Sequence, residues 1–360
     1  MLPQVCNEVI IMDINNKHTA NIGRSPRVAV IVPSWSGDVD RLMESLRTQT
    51  FCSYEVEVVR GVSPAARARN LGVARTKGDI LLFIDDDAFF GNRHTLQRLV
   101  SLLESDQQAG VVGTSKLAPK NATWLQKVIA RQVPRMVFPV LKEDIESNPP
   151  LDGYGFTAVS TTCCAVPRAI FEQIGGFNED LATGEDTDFF YRVRRSGYTI
   201  YLAGRTWVYH DPPASLTNLV RKSFGYGIGH ALEARAIPER RMNFLALDRW
   251  WGLLAVPATI LALPVALFVH IYFDQASRVE IGFRPLKTLS TYAVLFGYIY
   301  GWFHGKPVKA ASTYMGRKAS AIPTVTHTMA KGREAETTST FAAAAGGQRI
   351  GSDTAGIEGT

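Results

Sequence analysis

Gly78-Asp79-Ile80-Leu81-Leu82-Phe83-Ile84-Asp85-Asp86-Asp87-Ala88 decides how the rest of the chain is read. Its apolar run, Ile80 to Ile84, reads as a strand buried on both faces, the pattern of a central strand in a parallel sheet. The strand delivers three consecutive carboxylates to its C-terminal end, the edge at which open α/β sheets bind ligands. Three adjacent aspartates repel one another and contribute little to packing. A divalent cation bridging a polyphosphate accounts for them, because hard metals take carboxylate oxygens. A solvated acidic turn is the alternative.

Working outward, the neighbouring segments alternate between strand and helix. Val28 to Pro33 is a β-rich run that the proline should stop. Asp38 to Gln49 places Val39, Leu42, Met43 and Leu46 at helical spacing, with Asp38 as the N-cap. Tyr54 to Val59 is a second strand, and Pro64 opens a helix from Ala65 to Ala74. After the acidic turn come a helix from Arg93 to Glu104 and a strand at Val111-Val112. Short connections between such elements predict a mostly parallel sheet flanked by helices, an α/β fold. No G-x-G-x-x-G or Walker A sequence follows any strand, which argues against dinucleotide-binding and P-loop folds. Further on, Ala122 to Leu141 has an amphipathic helical pattern, and Gly155 to Pro167 includes a small-residue strand. Helices follow at Arg168 to Ile174 and Phe189 to Arg195, and short strands at Tyr198 to Leu202 and Trp207 to Tyr209.

Composition narrows the classes. The 360 residues are 46% hydrophobic and 20% charged, with a formal net charge of +6. No Lys/Arg run interleaves with aromatics, so nucleic acid is not an expected partner. The mild basic excess suits a protein lying against an anionic leaflet. Cys6, Cys52, Cys163 and Cys164 form no C-x-x-C or zinc spacing, and a reducing, cytoplasmic environment is the simpler expectation. Met1 to Arg24 has no sustained apolar core, so a cleavable signal peptide is not expected there. Trp250 to Phe273 lacks Asp, Glu, Lys and Arg and is long enough to span a bilayer. Thr288 to Phe303 is a shorter, Tyr-rich apolar run. Arg235, Arg240, Arg241 and Arg249 precede the pair, and Lys306, Lys309, Arg317 and Lys318 follow it. By the positive-inside rule the pair reads as a C-terminal apolar helical hairpin with both flanks cytoplasmic. A buried helix plus an interfacial one is the alternative. The expected organisation is a lead-in (1–26), an α/β domain (27–240), a membrane-associated helical region (241–312) and a disordered tail (313–360) rich in Ala, Gly, Thr and Ser.

Two further stretches carry chemistry. Ile174-Gly175-Gly176-Phe177 is followed by Gly184-Glu185-Asp186-Thr187-Asp188, an acidic turn opening a helix. Such acids commonly offset the helix dipole, yet a carboxylate fixed there can also take a proton from an acceptor hydroxyl. Val208-Tyr209-His210 ends a strand, where an imidazole can complete a metal shell.

In this order, together with Val30-Ile31-Val32-Pro33 and Ala68-Arg69-Asn70-Leu71-Gly72, these pieces resemble glycosyltransferase family 2, with its GT-A fold, over roughly residues 27 to 230. The resemblance implies an inverting transfer from a nucleotide-sugar donor, assisted by Mn²⁺ or Mg²⁺. It implies that Asp85, Asp87 and His210 hold the metal and that Asp186 is the catalytic base, with Glu185 beside it at the acceptor. It also implies that Pro33, Ser34, Arg67, Arg69, Asn70, Asp85 and Asp86 line the nucleotide-sugar pocket. The implied acceptor is a lipid-linked or cell-envelope glycan, met at the cytoplasmic face of the membrane. Two departures stand out. Val58-Val59 is followed by Arg60-Gly61, not by an acidic residue that reads the base, and no Q-x-x-R-W motif precedes the apolar segments. Arg221-Lys222 stands in a similar place, a basic pair suited to phosphate, and one or a few sugars are expected to be added in place of a long polymer. Alternatives are a polyprenyl-phosphate acceptor, or a membrane-tethered sugar-nucleotide-binding protein without turnover.

Overall fold

A computed structural model describes residues 10–12, 26–133, 135–153, 155–240, 247–272 and 278–306. In chain order the elements are β1 (Ile10–Met12), β2 (Val28–Ser34), α1 (Asp40–Arg47), β3 (Tyr54–Arg60), α2 (Ala65–Arg75), β4 (Ile80–Ile84) and β5 (Ala88–Phe90). Then come α3 (Thr95–Ser105), β6 (Ala109–Leu117), α4 (Trp124–Gln132), β7 (Ile145–Glu146), β8 (Cys163–Pro167), α5 (Arg168–Ile174) and α6 (Glu185–Arg195). The last are β9 (Thr199–His210), α7 (Leu216–Ala236), α8 (Trp250–Ala262), β10 (Val269–Tyr272), β11 (Arg278–Ile281) and α9 (Pro285–His304).

Eight strands follow one another in the order β1-β3-β2-β4-β8-β6-β9-β5, and β7 also pairs with β9. The β1-β3, β3-β2, β2-β4 and β6-β9 pairs are parallel. β8 runs antiparallel between β4 and β6, as do β5 and β7 against β9. Every residue of β4 is buried, and its side chains alternate between two cores. Ile80, Leu82 and Ile84 pack with Leu42, Leu46, Leu96 and Leu99 of α1 and α3. Leu81 and Phe83 pack with Ile170, Phe171, Phe177 and Phe189 on the other face. Phe83 lies 5.0 Å from the Phe177 ring, and Phe177 lies 4.8 Å from Phe189. The central strand, the Gly-Gly-Phe turn and α6 are thereby held as one aromatic unit.

The Gly-Gly-Phe turn has a second lock. Gly175 and Gly176 sit at φ 89° and 73°, the left-handed region that ends α5 and that glycine adopts without strain. The Arg192 guanidinium, fully buried, donates to the carbonyls of Ile174 and Gly176 at 2.8 Å each and to the Asp188 carboxylate at 2.7 Å. One arginine of α6 therefore satisfies the loose carbonyls at the end of α5.

Several local expectations change. Pro33 does not stop β2; it pairs in register with Val59, beyond Ile31 where pairing to β4 ends. Val39 precedes α1 and no side chain caps it, so Asp38 is not its N-cap. The lead-in contributes β1 to the sheet edge. Trp124, in the amphipathic stretch that forms α4, is 77% exposed. α6 begins at Glu185, which places the acidic pair in its first turn. The two short strands expected near 198–209 are one strand, β9, interrupted by a register shift and by Arg205 at φ 59°.

The region after Arg249 differs most. Among the described residues, Trp250–Leu267 is long and apolar enough to cross a bilayer, with mean hydropathy 1.8 and 11% of it buried. It packs against the second run, α9, through Val256, Ile260 and Leu263, with a ribbon between the two helices. α8 passes into a 3-10 turn at Leu263–Leu267, and β10 then pairs antiparallel with β11. α9 packs along α7 so closely that a Cβ on Gly227 would lie 2.1 Å from the Val294 carbonyl oxygen. The expected tail, 313–360, and the flanking cations Arg241, Lys309, Arg317 and Lys318 lie outside the described residues.

Candidate active site

The topology explains why the acidic triplet meets distant residues. Asp85, Asp86 and Asp87 leave the central strand β4 and lead into β5, whose Ala88 is paired with His210 at the end of β9. His210 Nε2 lies 3.4 Å from Asp87 Oδ1. Asp85, Asp87 and His210 each offer a ligand atom, and these atoms all lie within 4.8 Å of one another. Burial, with the charges of Lys116 and Lys222, holds the His210 pKa well below the usual histidine range, so the ring is neutral and able to ligate. Asp87 behaves in the opposite sense. Crowding by the protein, and then the Asp85 charge, push its pKa up to about 7. Two oxygen donors and one neutral imidazole, with like charges crowded together, fit a divalent cation.

Arg69, expected in the nucleotide pocket, is buried. Its buried guanidinium donates to Asp85 Oδ1 at 2.8 Å and to Glu185 Oε1 at 2.7 Å. Glu185 was expected at the acceptor beside Asp186; the structure instead turns its carboxylate inward onto Arg69. Burial raises the Glu185 pKa in spite of that cation. One guanidinium thus ties the C-terminal end of β4 to the first residue of α6. The sequence contains both partners, but their pairing spans 116 positions and leaves no local signature.

Asp186, the next residue, is half-buried; its Oδ1 accepts from the Thr187 backbone N–H at 2.8 Å. Asp186 stands near enough to Lys116 and Tyr226 for its charge to act on both. Asp86 is held by Ser34, whose Oγ donates to its Oδ2 at 2.6 Å. Pro33 precedes that serine at the end of β2. Asn70, expected in the nucleotide pocket, is engaged by the neighbouring turn. Its amide donates to the Phe177 carbonyl and to Glu179, both at 2.9 Å, and its Oδ1 accepts from the Phe177 N–H at 3.0 Å. It staples α2 to the Gly-Gly-Phe turn. Arg67 is exposed in the first turn of α2.

Sequence reasoning missed Lys116. It stands one residue before the end of β6, and burial, followed by the charges of Lys222 and Arg135, pulls its pKa down to about 8. Lys222, from the basic pair on α7, faces the carboxylates. Burial opposes its charge, but Tyr226, Asp87 and Asp85 outweigh that and raise its pKa. Only the position of Lys222 ahead of the apolar region gave a sequence signal; Lys116 gave none.

A family model described as glycosyltransferase like family 2 matches residues 18–225. The chain belongs to that family. It is 34% identical over 142 residues to the succinoglycan biosynthesis protein ExoA of Rhizobium meliloti (strain 1021), covering 38% of this chain and 43% of that protein. It is 25% identical over 213 residues to the O-antigen chain rhamnosyltransferase WbaN of Salmonella anatum, covering 57% and 63%. The chain thus aligns with less than two thirds of either relative's length. Among solved structures, the mannosyltransferase PcManGT from Pyrobaculum calidifontis, in complex with GDP-Man and Mn²⁺, matches with a TM-score of 0.50 at 17% identity, covering 79% of this chain and 89% of that one. That likeness concerns the fold, a central mostly parallel sheet flanked by helices, as the family 2 motifs led one to expect.

Proposed function

We propose that the chain is an inverting, metal-dependent glycosyltransferase that moves a sugar from a nucleotide-sugar donor to a hydroxyl of a lipid-linked or cell-envelope glycan at the cytoplasmic face of the membrane. The observation that carries this reading is the linkage of two half-sites. The Asp85-Asp87-His210 group is joined, through Arg69 and Glu185, to the helix start that bears Asp186. In this reading Asp186 takes the proton of the acceptor hydroxyl as its oxygen bonds to the anomeric carbon. The bond from that carbon to the donor phosphate breaks from the opposite face. Lys222 and Lys116 offset the charge that collects on the departing diphosphate. Mn²⁺ or Mg²⁺, held by Asp85, Asp87 and His210, would neutralise that same diphosphate. Ser34 and Asp86 form the wall nearest the nucleoside. Arg69 and Glu185 act as positioning residues. Residues 27–240 form the catalytic unit, and 241–312 the membrane-associated region.

Asp186→Asn tests the base assignment. Transfer is expected to fall by about 10²- to 10⁴-fold, the usual worth of a general base, while donor and Mn²⁺ binding by calorimetry stay unchanged. Near-normal turnover would remove Asp186 from that role and favour a second reading, in which the acceptor is a polyprenyl phosphate that needs no base. The cations Lys222 and Arg135, close enough to help lower the Lys116 pKa, are the observation on that side.

Metal affinity should depend on pH. With a pKa near 7, Asp87 carries a proton in mildly acidic solution, and that proton must leave before the carboxylate can ligate. Mn²⁺ affinity in the presence of nucleotide is expected to rise from pH 6 to 8, by up to about tenfold per unit below pH 7. Titration calorimetry at three pH values checks this; a flat profile would contradict it.

A further inference from the structure

α8 is apolar on all sides, but only one side is covered. Its inner residues, Val256, Ile260 and the adjoining Leu263, pack with Leu295 and Ile299 of α9. Outward, Leu254 is 63% and Leu261 79% exposed, with Trp250 and Val265 continuing the stripe. The β10-β11 ribbon beside it exposes Ile281 and, just beyond, Phe283. A patch of this kind on a monomer needs an apolar partner. Cations stand at one rim: Arg249 and Lys306 are exposed, and Arg235 donates to the Trp302 and Gly305 carbonyls at the end of α9.

Both ends of the segment are tied to the catalytic domain. Leu247, before α8, and Leu263, after it, share one core cluster with Ala231 of α7 and Tyr298 of α9. The Tyr292 hydroxyl of α9 donates to the Ile260 carbonyl at 3.1 Å. Past the 3-10 turn the chain folds straight back, with the Arg284 N–H donating to the Leu267 carbonyl at 2.7 Å. Two residues on, the Leu286 N–H donates to Gln132 of α4 at 2.9 Å. A helix tied in this way reaches the far leaflet only if α9 and α7 go with it, and α7 carries Lys222 to the acidic site. The two-stranded ribbon also has open backbone edges, which hydrocarbon does not tolerate.

We infer that α8 and the β10-β11 ribbon lie in the plane of an anionic bilayer, seated in its headgroup region, with the α7-α9 pair between the lipid and the catalytic cleft. This deepens the membrane association proposed above and does not depend on the transfer chemistry. The in-plane placement of an apolar helix with a cationic rim is that of an interfacial element.

Leu254 and Leu261, seven residues apart, share one face of the helix. Leu254→Cys and Leu261→Cys variants of the full chain, each carrying a nitroxide, are bound to vesicles of phosphatidylglycerol and phosphatidylcholine without donor or acceptor. Equal depths within about 5–10 Å of the headgroup boundary are expected. Depths differing by about 10 Å, the rise of seven residues along a helix, would overturn the inference in favour of a spanning helix. Absence of vesicle binding, together with a dimer in light scattering, would overturn it in favour of a second copy. Leu254→Glu with Leu261→Glu should weaken vesicle binding at least tenfold while metal-dependent donor hydrolysis in detergent is retained. Unchanged vesicle binding in that variant would also overturn it. Donor hydrolysis reads the transferase assignment separately, so failure of one leaves the other standing.

Discussion

Replacement of Arg69 by methionine is expected to cost about 3–5 kcal/mol of stability, the usual penalty for removing one partner of a buried ion pair, and to abolish transfer. The side chain is 4% exposed, and its ion pairs with both Asp85 and Glu185 are lost when it goes. Two carboxylates, Glu185 at 11% and Asp85 at 26% exposure, are then left without that cation. The stability loss should be read by guanidinium denaturation. Adding Glu185→Gln to the same chain should recover part of it, because the amide removes one of the stranded charges. A loss below about 1 kcal/mol would place Arg69 with exposed surface pairs and would remove the link between the two halves of the site.

Asp87→Ala should behave in the opposite way. Metal-dependent turnover is expected to fall on the order of 10³-fold, comparable to losing a main electrostatic contact in other enzymes. Stability without metal should hold or rise slightly, since the substitution removes one of several crowded like charges. The half-exposed Asp87 side chain contributes little packing that could be lost. Thermal unfolding without metal, paired with a Mn²⁺ titration of activity, separates the two effects. A fold that melts early in this variant would mean that Asp87 is structural.

The contrast between these residues shows what the sequence makes legible. β4 was bounded correctly because an unbroken apolar run between Asp79 and Asp85 admits one reading, and the strand's direction carries the triplet to a ligand-binding edge. His210 drew notice in the sequence because it closes a strand. The pairing of Glu185 with Arg69 was not legible because adjacency in sequence does not give direction: in the first turn of α6, successive side chains diverge, and Glu185 turns to Arg69. Asn70 belongs to the same motif as Arg69, but it holds the Gly-Gly-Phe turn. Motif membership does not separate binding from bracing.

α7 left a poor signal for another reason. Gly225, Gly227 and Gly229 lie inside it, and glycine is unfavourable in a helix interior. Tertiary packing reverses that preference, since α9 approaches Gly227, and α7 approaches Gly297 of α9, at distances that no Cβ permits. The same packing bears on the two apolar runs read as a membrane hairpin. Composition reports that a segment avoids water but not whether lipid or another helix covers it. α9 is covered by α7 along one side, whereas α8 has an open outer face.

The central claim is that the acidic triplet and His210 bind a metal together with a nucleotide sugar. Thermal unfolding of the full chain with UDP-, GDP- and dTDP-sugars, with and without Mn²⁺, tests it most directly. The midpoint should rise with one of these donors, only when metal is present, and the rise should vanish in Asp87→Ala. A metal-independent rise, or one that survives Asp87→Ala, would contradict the account.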